Sequence, residues 1–453
     1  MKRFWLVLLS LGLIMAFSAS AFAVDVQFSG SIYEAGVYLD RVGLNKDPGS
    51  ASKAFSTAFF YQRLRLRTDF IAAPGVKVVT RFDAMERVWG SARTAPSATL
   101  ADTGGLGSSM SGGTTAENEN IAFDWAYISY DSPIGTFRVG YQDDGPWGTI
   151  FGDTTYVNPR IIWIGTFGPI MALAAAVKLQ DTSYNTQNPT IAQSDLDNDK
   201  YAAGVIYMWK GGQVGILGGY WRYAYTRSSI ESNSAVGSFY GLLPYAKVQI
   251  GPVAIQAEID YVWGKYPSAY DSALGRDVKL DNIEGWIDAL VTLGPVYFGG
   301  TIAYVAGDDP NTTDKMEGGA LSGGRDWDPC LIMWNYNDRY KWIGAIYGNG
   351  TTNNAFGVTN AWFYQGKVGV KPIPPLDIYA TVTYATVDKK PVTTLGSSYG
   401  WEIDLVGTYK ITNNLSYMLG GAYWFVGDYY KGLDQGSAVR DDFMIINKLT
   451  LTF

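Results

Sequence analysis

The feature that most constrains this chain is a hairpin in residues 61–84, in which apolar and charged side chains alternate along both strands. Because side chains alternate between the two faces of a strand, one face collects apolar residues such as Leu64, Leu66 and Phe82. The other face carries a row of cations: Arg63, Arg65, Arg67, Lys77 and Arg81. Charge of this density is unsuited to a dry protein core. The hairpin fits either the wall of a water-filled membrane barrel or a soluble sandwich with its charged face in water.

Composition favours the barrel. Only 17% of the 453 residues are charged, whereas 15% are aromatic, and a soluble globular domain carries about a quarter charged residues. A chain of this length also suits one large barrel better than most single soluble domains. The formal net charge is −7 and the sequence has no basic run. Binding to nucleic acid is therefore not expected.

The sequence contains no histidine and a single cysteine, Cys330. The commonest general base and the usual zinc ligand are therefore missing, as is the histidine on which barrel lipases, acyltransferases and proteases depend. Cys330 has no partner for an internal disulfide and no histidine to activate it. We predict no enzymatic activity, no catalytic residues, no cofactor and no metal site.

The first 23 residues have the character of a cleaved signal peptide. Lys2 and Arg3 precede an apolar run in residues 4–17, and residues 21–23 (Ala-Phe-Ala) supply a small-residue cleavage site. An alternating strand begins directly afterwards, with no room for a plug domain. The mature chain, residues 24–453, is predicted to be a single barrel domain.

The rest of the chain repeats one rhythm of strand, tight turn, strand and long polar loop. Residues 161–179 test this interpretation, because they are almost entirely apolar and long enough for a transmembrane helix. Phe167, Gly168 and Pro169 lie near the middle, where they would break a helix and turn a hairpin. Counting them as two strands gives about eighteen antiparallel strands, with sixteen as the alternative. Even strand numbers, short periplasmic turns and long extracellular loops are typical of transmembrane β-barrels.

A second charged face lies on the eleventh and twelfth predicted strands. It carries four acids: Glu258, Asp260, Glu284 and Asp288. In a closed sheet of eighteen strands this face lies halfway round from the cationic hairpin. The two faces are therefore expected to line opposite walls of the pore and to set up a transverse field. The alternative is that they lie at different heights and only keep the wall wet.

With its leader, its immediate first strand, its repeated hairpins and its last segment, DFMIINKLTLTF, the chain resembles a bacterial outer-membrane porin. The resemblance implies export through the periplasm of a Gram-negative cell, insertion in the outer membrane and assembly as a homotrimer. Contacts with membrane lipid and lipopolysaccharide are implied as well. The terminal aromatic residue, Phe453, resembles the signal that the barrel-assembly machinery recognises.

The resemblance also implies that the loop after the fifth strand folds into the pore and narrows it. That loop is predicted in residues 142–159, with Asp143, Asp144 and Asp153 as candidate constriction acids. The PEFGG-like segment of well-known general porins is missing from it. An external loop with solvated acids is the alternative.

The sequence therefore predicts a channel for passive diffusion of small hydrophilic solutes and ions, with selectivity set by pore width and lining charges. The alternative is a channel specific for sugars or for organic or phosphate anions. A sugar site would need a line of aromatic side chains inside the pore, and only Trp286 is a clear inward candidate. The arginine row would suit anions, because guanidinium groups pair bidentately with carboxylates and phosphates.

Overall fold

The computed structural model describes most of the chain: residues 24–46, 56–90, 121–181, 197–224, 236–266, 277–348, 352–353, 357–434, 436 and 438–453. The predicted signal peptide lies outside these residues, as does most of the long connection in residues 89–120. Eighteen of the described strands form one closed antiparallel barrel. The short strand Lys315–Met316 pairs in parallel with one barrel strand, and Ile346–Tyr347 pairs with Thr352–Asn353 in a separate two-stranded sheet.

The barrel has eighteen strands, numbered here in chain order: β1 (Asp25–Leu39), β2 (Thr57–Ala73), β3 (Val76–Val88), β4 (Ile121–Ser132), β5 (Gly135–Asp144), β6 (Tyr156–Phe167), β7 (Ile170–Gln180), β8 (Asn198–Trp209), β9 (Gly212–Tyr223), β10 (Gly237–Ile250), β11 (Val253–Tyr266), β12 (Val278–Leu293), β13 (Val296–Val305), β14 (Ala361–Ile373), β15 (Leu376–Val387), β16 (Ser398–Lys410), β17 (Leu415–Val426) and β18 (Asp442–Thr452). Each strand pairs with its neighbours in sequence, and β18 pairs with β1 from Met444 to Thr452. This last pairing closes the sheet. The predicted fold class and the count of eighteen strands are confirmed.

Eight tight turns and nine longer connections join the strands, as the sequence predicts. The apolar stretch at residues 161–179 forms the β6–β7 hairpin, whose turn lies between Phe167 and Ile170. Gly168 has φ +60° there, a conformation that glycine adopts without steric cost. The interpretation as two strands is therefore correct. Among the residues described, no helix is both long and apolar enough to cross a membrane.

The outer surface of the barrel is apolar. Large side chains such as Phe123, Leu405 and Ile216 are exposed on it, and the next residue along each strand points into the barrel. An outward apolar face and an inward polar face are what a barrel in lipid requires, because no water is available at the lipid face to solvate polar groups.

Much of the interior is occupied by the described part of the connection between β13 and β14, residues 306–348 and 357–360, which we call the 306–360 loop. It contains a short helical segment, Tyr336–Tyr340 followed by Lys341–Ile343. Its apolar residues, including Ile332 and Trp334, are buried in one cluster with inward side chains of β1, β2 and β12–β18. The loop is therefore a folded element inside the barrel. This inward position differs from the extracellular position predicted for the long loops.

Candidate functional site

The cationic hairpin lies on β2 and β3, and its charged side chains point into the barrel. Arg65 donates two hydrogen bonds of 2.7 Å to the two carboxylate oxygens of Asp83, which lies directly opposite on β3. Arg67 and Lys77 both donate to Asp69, at 2.6 and 2.8 Å. The cations of this face are therefore held in place by acids of the same hairpin.

Arg81 lies at the centre of a group that extends onto β4 and β5. Its Nε donates to Asp124 at 2.9 Å, and its guanidinium reaches Asp143 at 3.3 Å. The same group lies over the Trp125 ring, 3.7 Å from the centroid. Trp125 in turn donates its indole N–H to Asp143 at 2.7 Å. Arg81 therefore has a carboxylate on either side and an aromatic face beneath it.

Asp124 and Trp125 were missed by the sequence analysis for an identifiable reason. The β3–β4 register shifts between Arg81 and Phe82, and such a bulge places two residues of one strand opposite one of the other. Alternation would turn Asp124 outward, whereas the bulge brings it to Arg81. A bulge in the sequence IAFDWAY has no reliable signature.

The cationic face is charge-balanced, whereas the sequence analysis expected a positive wall. Its five cations contact five acids: Asp69, Asp83, Glu86, Asp124 and Asp143. The Arg63–Glu86 separation is 3.7 Å. The side chains of Arg67 and Lys77 remain 37% exposed, so the row still presents polar groups to the interior. Local pairs of opposite charge therefore replace a uniform positive potential.

The acidic face lies on β11 and β12, halfway round the barrel from β2 and β3, as predicted. However, Glu258, Asp260 and Glu284 are no more than 2% exposed, because the connection between β5 and β6 lies over them. Thr149 donates its backbone N–H to Glu258 at 2.6 Å. These three acids point inward but are covered by the loop. Asp288, further along β12, is half-buried and accepts from the Thr301 hydroxyl at 2.6 Å.

The β5–β6 connection, residues 145–155, crosses the interior to β10–β12. The Trp147 indole N–H donates to the Leu243 carbonyl at 2.8 Å. That carbonyl precedes Pro244, and neither residue takes part in the β10–β11 pairing. Phe151 is fully buried, with its ring parallel to the Trp286 ring at 6.0 Å. The loop therefore follows an inward path.

The loop is shorter than predicted, since β5 continues through Asp144 and β6 begins at Tyr156. Pairing on the barrel wall explains the extra strand length. Asp144 accepts from Lys200 at 2.6 Å and contacts Arg160 at 3.5 Å, which holds the end of β5 in the sheet. Of the three candidate constriction acids, only Asp153 belongs to the loop.

Asp153 has its carboxylate inside the loop. Its Oδ1 accepts the Trp147 backbone N–H at 2.7 Å. Burial, together with the nearby carboxylates of Asp326 and Asp260, raises the pKa of Asp153 to about 7, although the Trp147 N–H and Lys247 act to lower it. The charge state of this loop residue therefore changes near neutral pH.

The two inward loops meet at the middle of the barrel. Phe151 packs edge-on against Trp327 of the 306–360 loop, with centroids 5.4 Å apart. Thr155 donates its hydroxyl to Asp326 at 2.7 Å. The larger loop is in turn fixed to β16, where Glu402 accepts the backbone N–H groups of Ile332 and Met333 at 2.6 and 2.7 Å. Together the loops cover the inward faces of β10–β18, and the row on β2–β5 stays partly open.

Cys330, Glu402 and Asp404 have potential metal-ligating atoms close together. Both oxygens of Glu402 already accept loop N–H groups, and Asp404 accepts the Thr381 hydroxyl at 2.9 Å. Burial raises the pKa of the Cys330 thiol well above its ordinary value, which disfavours the thiolate that a metal or a substrate would need. The group therefore fits an anchor for the loop.

Phe453, the last residue of the sequence, follows β18. It extends the backbone pairing between β18 and β1 that closes the barrel. Its backbone N–H and carbonyl exchange hydrogen bonds with Gly30 at 3.0 and 2.8 Å. Its ring is 51% exposed. The aromatic side chain of the predicted assembly signal is therefore accessible on the folded barrel.

No protein-family model and no curated protein sequence matches the chain. Solved structures do match. The outer membrane protein OpdK of Pseudomonas aeruginosa is 13% identical, with a TM-score of 0.52 over 94% of this chain and 99% of that one. OccK9 (OpdG) of the same organism is 15% identical, with a TM-score of 0.53 over 95% and 99%. OccK2 (OpdF), in complex with glucuronate, is 12% identical, with a TM-score of 0.52 over 95% and 97%. These likenesses show a shared barrel fold and agree with the predicted fold class.

Proposed function

We propose that the protein is a channel of the bacterial outer membrane through which small hydrophilic solutes and ions diffuse passively. The observation that carries this proposal is the closed barrel with an apolar outer wall and an ionic inner face on β2–β5 that stays partly exposed. Diffusion requires no reaction. The chain has no histidine, and we assign it no enzymatic activity.

The permeation route runs between the row on β2–β5 and the two inward loops. Arg63, Arg65, Arg67, Lys77 and Arg81 line it on one side. The 145–155 loop narrows the route from the other side. The buried acids Glu258, Asp260 and Glu284 lie beneath this loop and support it. Asp143, Asp144 and Asp288 belong to the wall. A passing solute then meets closely spaced charges of both signs, which favours polar and dipolar solutes.

A second candidate is selectivity for organic anions. The guanidinium row supports it, because arginine binds carboxylates in a fixed bidentate geometry. OccK2, which shares this fold, was crystallised with glucuronate. A sugar-specific site built on Trp286 is less favoured, since Phe151 covers that ring and Trp286 is only 6% exposed.

The binding partners predicted from the sequence belong to the same proposal. The apolar outer wall suits contact with outer-membrane lipid and lipopolysaccharide. Homotrimer formation, and recognition of Phe453 by the barrel-assembly machinery during export, stay predictions.

Purified protein in a planar bilayer tests the channel, which should give discrete conductance steps in salt solution. Replacing Arg63, Arg65 and Arg67 by glutamine removes three positive charges, leaves Asp83 without Arg65, and leaves Asp69 and Glu86 paired with Lys77 and Lys341. The reversal potential in a salt gradient should therefore move toward cations. The matched variant, Asp69→Asn with Asp83→Asn, should move it toward anions. Absence of conductance over repeated preparations would contradict the channel, and unchanged potentials in both variants would place the row off the route.

A further inference from the structure

Part of the inward wall between β6 and β10 is apolar. Six half-buried side chains of these strands form it: Ile164, Met171, Leu173, Met208, Leu217 and Leu243. The strand pairing places these side chains on the same face of the sheet. On β7, Leu173 lies opposite Ile164, and on β8, Met208 lies opposite Gln213. We call these six residues the apolar inner patch. It accounts for the doubly apolar sequence at residues 161–179, which a barrel with a uniformly polar interior would not need.

Packing of the 145–155 loop explains only part of the patch. Trp147 lies over Gly204, where an added methyl group would be 3.1 Å from its ring. Ile206 and Tyr245 are buried in the same cluster. Five of the six patch residues pack against this group, Ile164 lies opposite one of them, Leu173, and all six are only half-buried. Methyl and thioether groups that face water are less stable than the same groups in an apolar environment. An apolar group that binds over them removes them from water, and this favours binding.

Two cations flank the patch. Arg138 on β5 lies opposite Ile162 of β6, and Lys247 on β10 lies opposite Gln213 of β9. Lys247 lies over the Tyr245 ring, with its Nζ 6.0 Å from the centroid. In the part of the chain that the structure describes, neither cation makes an ion pair within 4 Å, in contrast to the balanced row on β2–β5. The patch therefore combines an apolar floor with a cation on either side.

We propose that the apolar inner patch, with Arg138 and Lys247, is a binding site in the channel for small amphiphilic anions, namely those with an apolar or aromatic body. The apolar floor takes the body of the solute, and a flanking cation takes its charged group. This inference rests on the proposed channel function. It adds that, of two solutes with equal charge, the channel binds the one with the more apolar body more tightly. Neither the charged row nor the barrel fold implies that preference.

Block of the single-channel current by two monoanions tests the site. Benzoate has an apolar ring and gluconate has a hydroxylated chain. Because covering part of a benzene ring yields about a tenfold gain in affinity, benzoate should half-block the current at about one tenth of the gluconate concentration. Replacing Met171 and Met208 by glutamine, which keeps their length, should remove most of that difference and leave gluconate block unchanged.

The matched control is Val205→Thr, an outward-facing isosteric change on β8 next to the buried Ile206. It should keep both half-blocking concentrations. Replacing Arg138 by glutamine should weaken block by both anions. Equal block by benzoate and gluconate, or an unaltered ratio in the Met171 and Met208 variant, would overturn the site while leaving the channel standing. A loss of all conductance in the parent protein would instead contradict the channel.

Discussion

Single residues decide how closely the inward loop approaches the barrel wall. Gly152 has φ +73°, and an added Cβ there would lie 2.4 Å from Asp260 Oδ2. Glycine is therefore required twice, for its backbone conformation and for the space above a buried carboxylate. Glu258, Asp260 and Glu284 are therefore covered by the loop.

Replacing Gly152 by alanine should lift the 145–155 loop from its seat and increase single-channel conductance. The matched control is Gly168→Ala in the β6–β7 turn. Gly168 also has positive φ, +60°, but an added methyl group would meet no atom within 4 Å. Both variants carry a backbone cost of about 1–2 kcal/mol, and only Gly152→Ala adds the clash. Conductance equal to that of the control would argue against a seated loop.

At the scale of elements, the two inward connections are held by backbone N–H groups that donate to wall carboxylates. Glu258 receives the 145–155 loop and Glu402 receives the 306–360 loop. Breaking one of these bonds leaves a buried N–H group and a buried carboxyl oxygen without a hydrogen-bond partner, which costs free energy. Both loops therefore behave as fixed parts of the interior.

Seating of the 145–155 loop should depend on pH through Asp153. The pKa of Asp153 is raised from 3.8 to about 7 in the seated loop, chiefly by burial. Between these two values a released loop ionises while the seated loop stays protonated, so the seated state binds more protons. Its stability therefore falls as pH rises from about 4 to about 7 and levels off above that. Channel conductance should rise over the same window.

Recording conductance between pH 4 and 8 at constant ionic strength checks this expectation. Asp153→Asn, which cannot ionise and can still accept the Trp147 N–H, should remove most of the rise. Asp131→Asn, at the exposed β4–β5 turn, is the matched control and should keep it. A conductance that falls with rising pH would contradict the assignment.

At the scale of the whole molecule, closure depends on the first and last strands. The β1–β18 ladder runs from Met444 to Thr452, and Phe453 extends it through its backbone bonds to Gly30. A closed barrel has no free edge, so every strand satisfies its backbone groups within the sheet. The Phe453 side chain is exposed and adds little to this closure.

Replacing Phe453 by alanine should therefore reduce assembly in the outer membrane while leaving the stability of the folded barrel almost unchanged. The backbone bonds to Gly30 persist in this variant, so the thermal stability of refolded protein should change by less than about 1 kcal/mol. The amount assembled in the outer membrane of cells should drop several-fold. Leu451→Ala, a neighbouring exposed position on the same strand, serves as the control and should assemble at the parental level. Normal assembly of Phe453→Ala would contradict the predicted signal.

The sequence by itself determined the barrel, its count of about eighteen strands and the inward face of the charged row on β2 and β3. Alternation has a period of two residues and acts locally, so side-chain identity along Arg63, Arg65 and Arg67 is enough to assign inside and outside. The turn at Gly168 and Pro169 is equally local. Strand count and closure then follow from adding hairpins in order.

Only the tertiary structure decided which inward charges stay open to solutes. The seat of the 145–155 loop on Glu258 and Asp260, and the burial of the 306–360 loop against Glu402, join residues far apart in the chain. The bulge that brings Asp124 to Arg81 breaks the alternation on which sequence reasoning depends. Local patterns fix the face of residues in regularly paired strands, whereas a bulge and the path of a long loop depend on contacts with residues far away in the sequence.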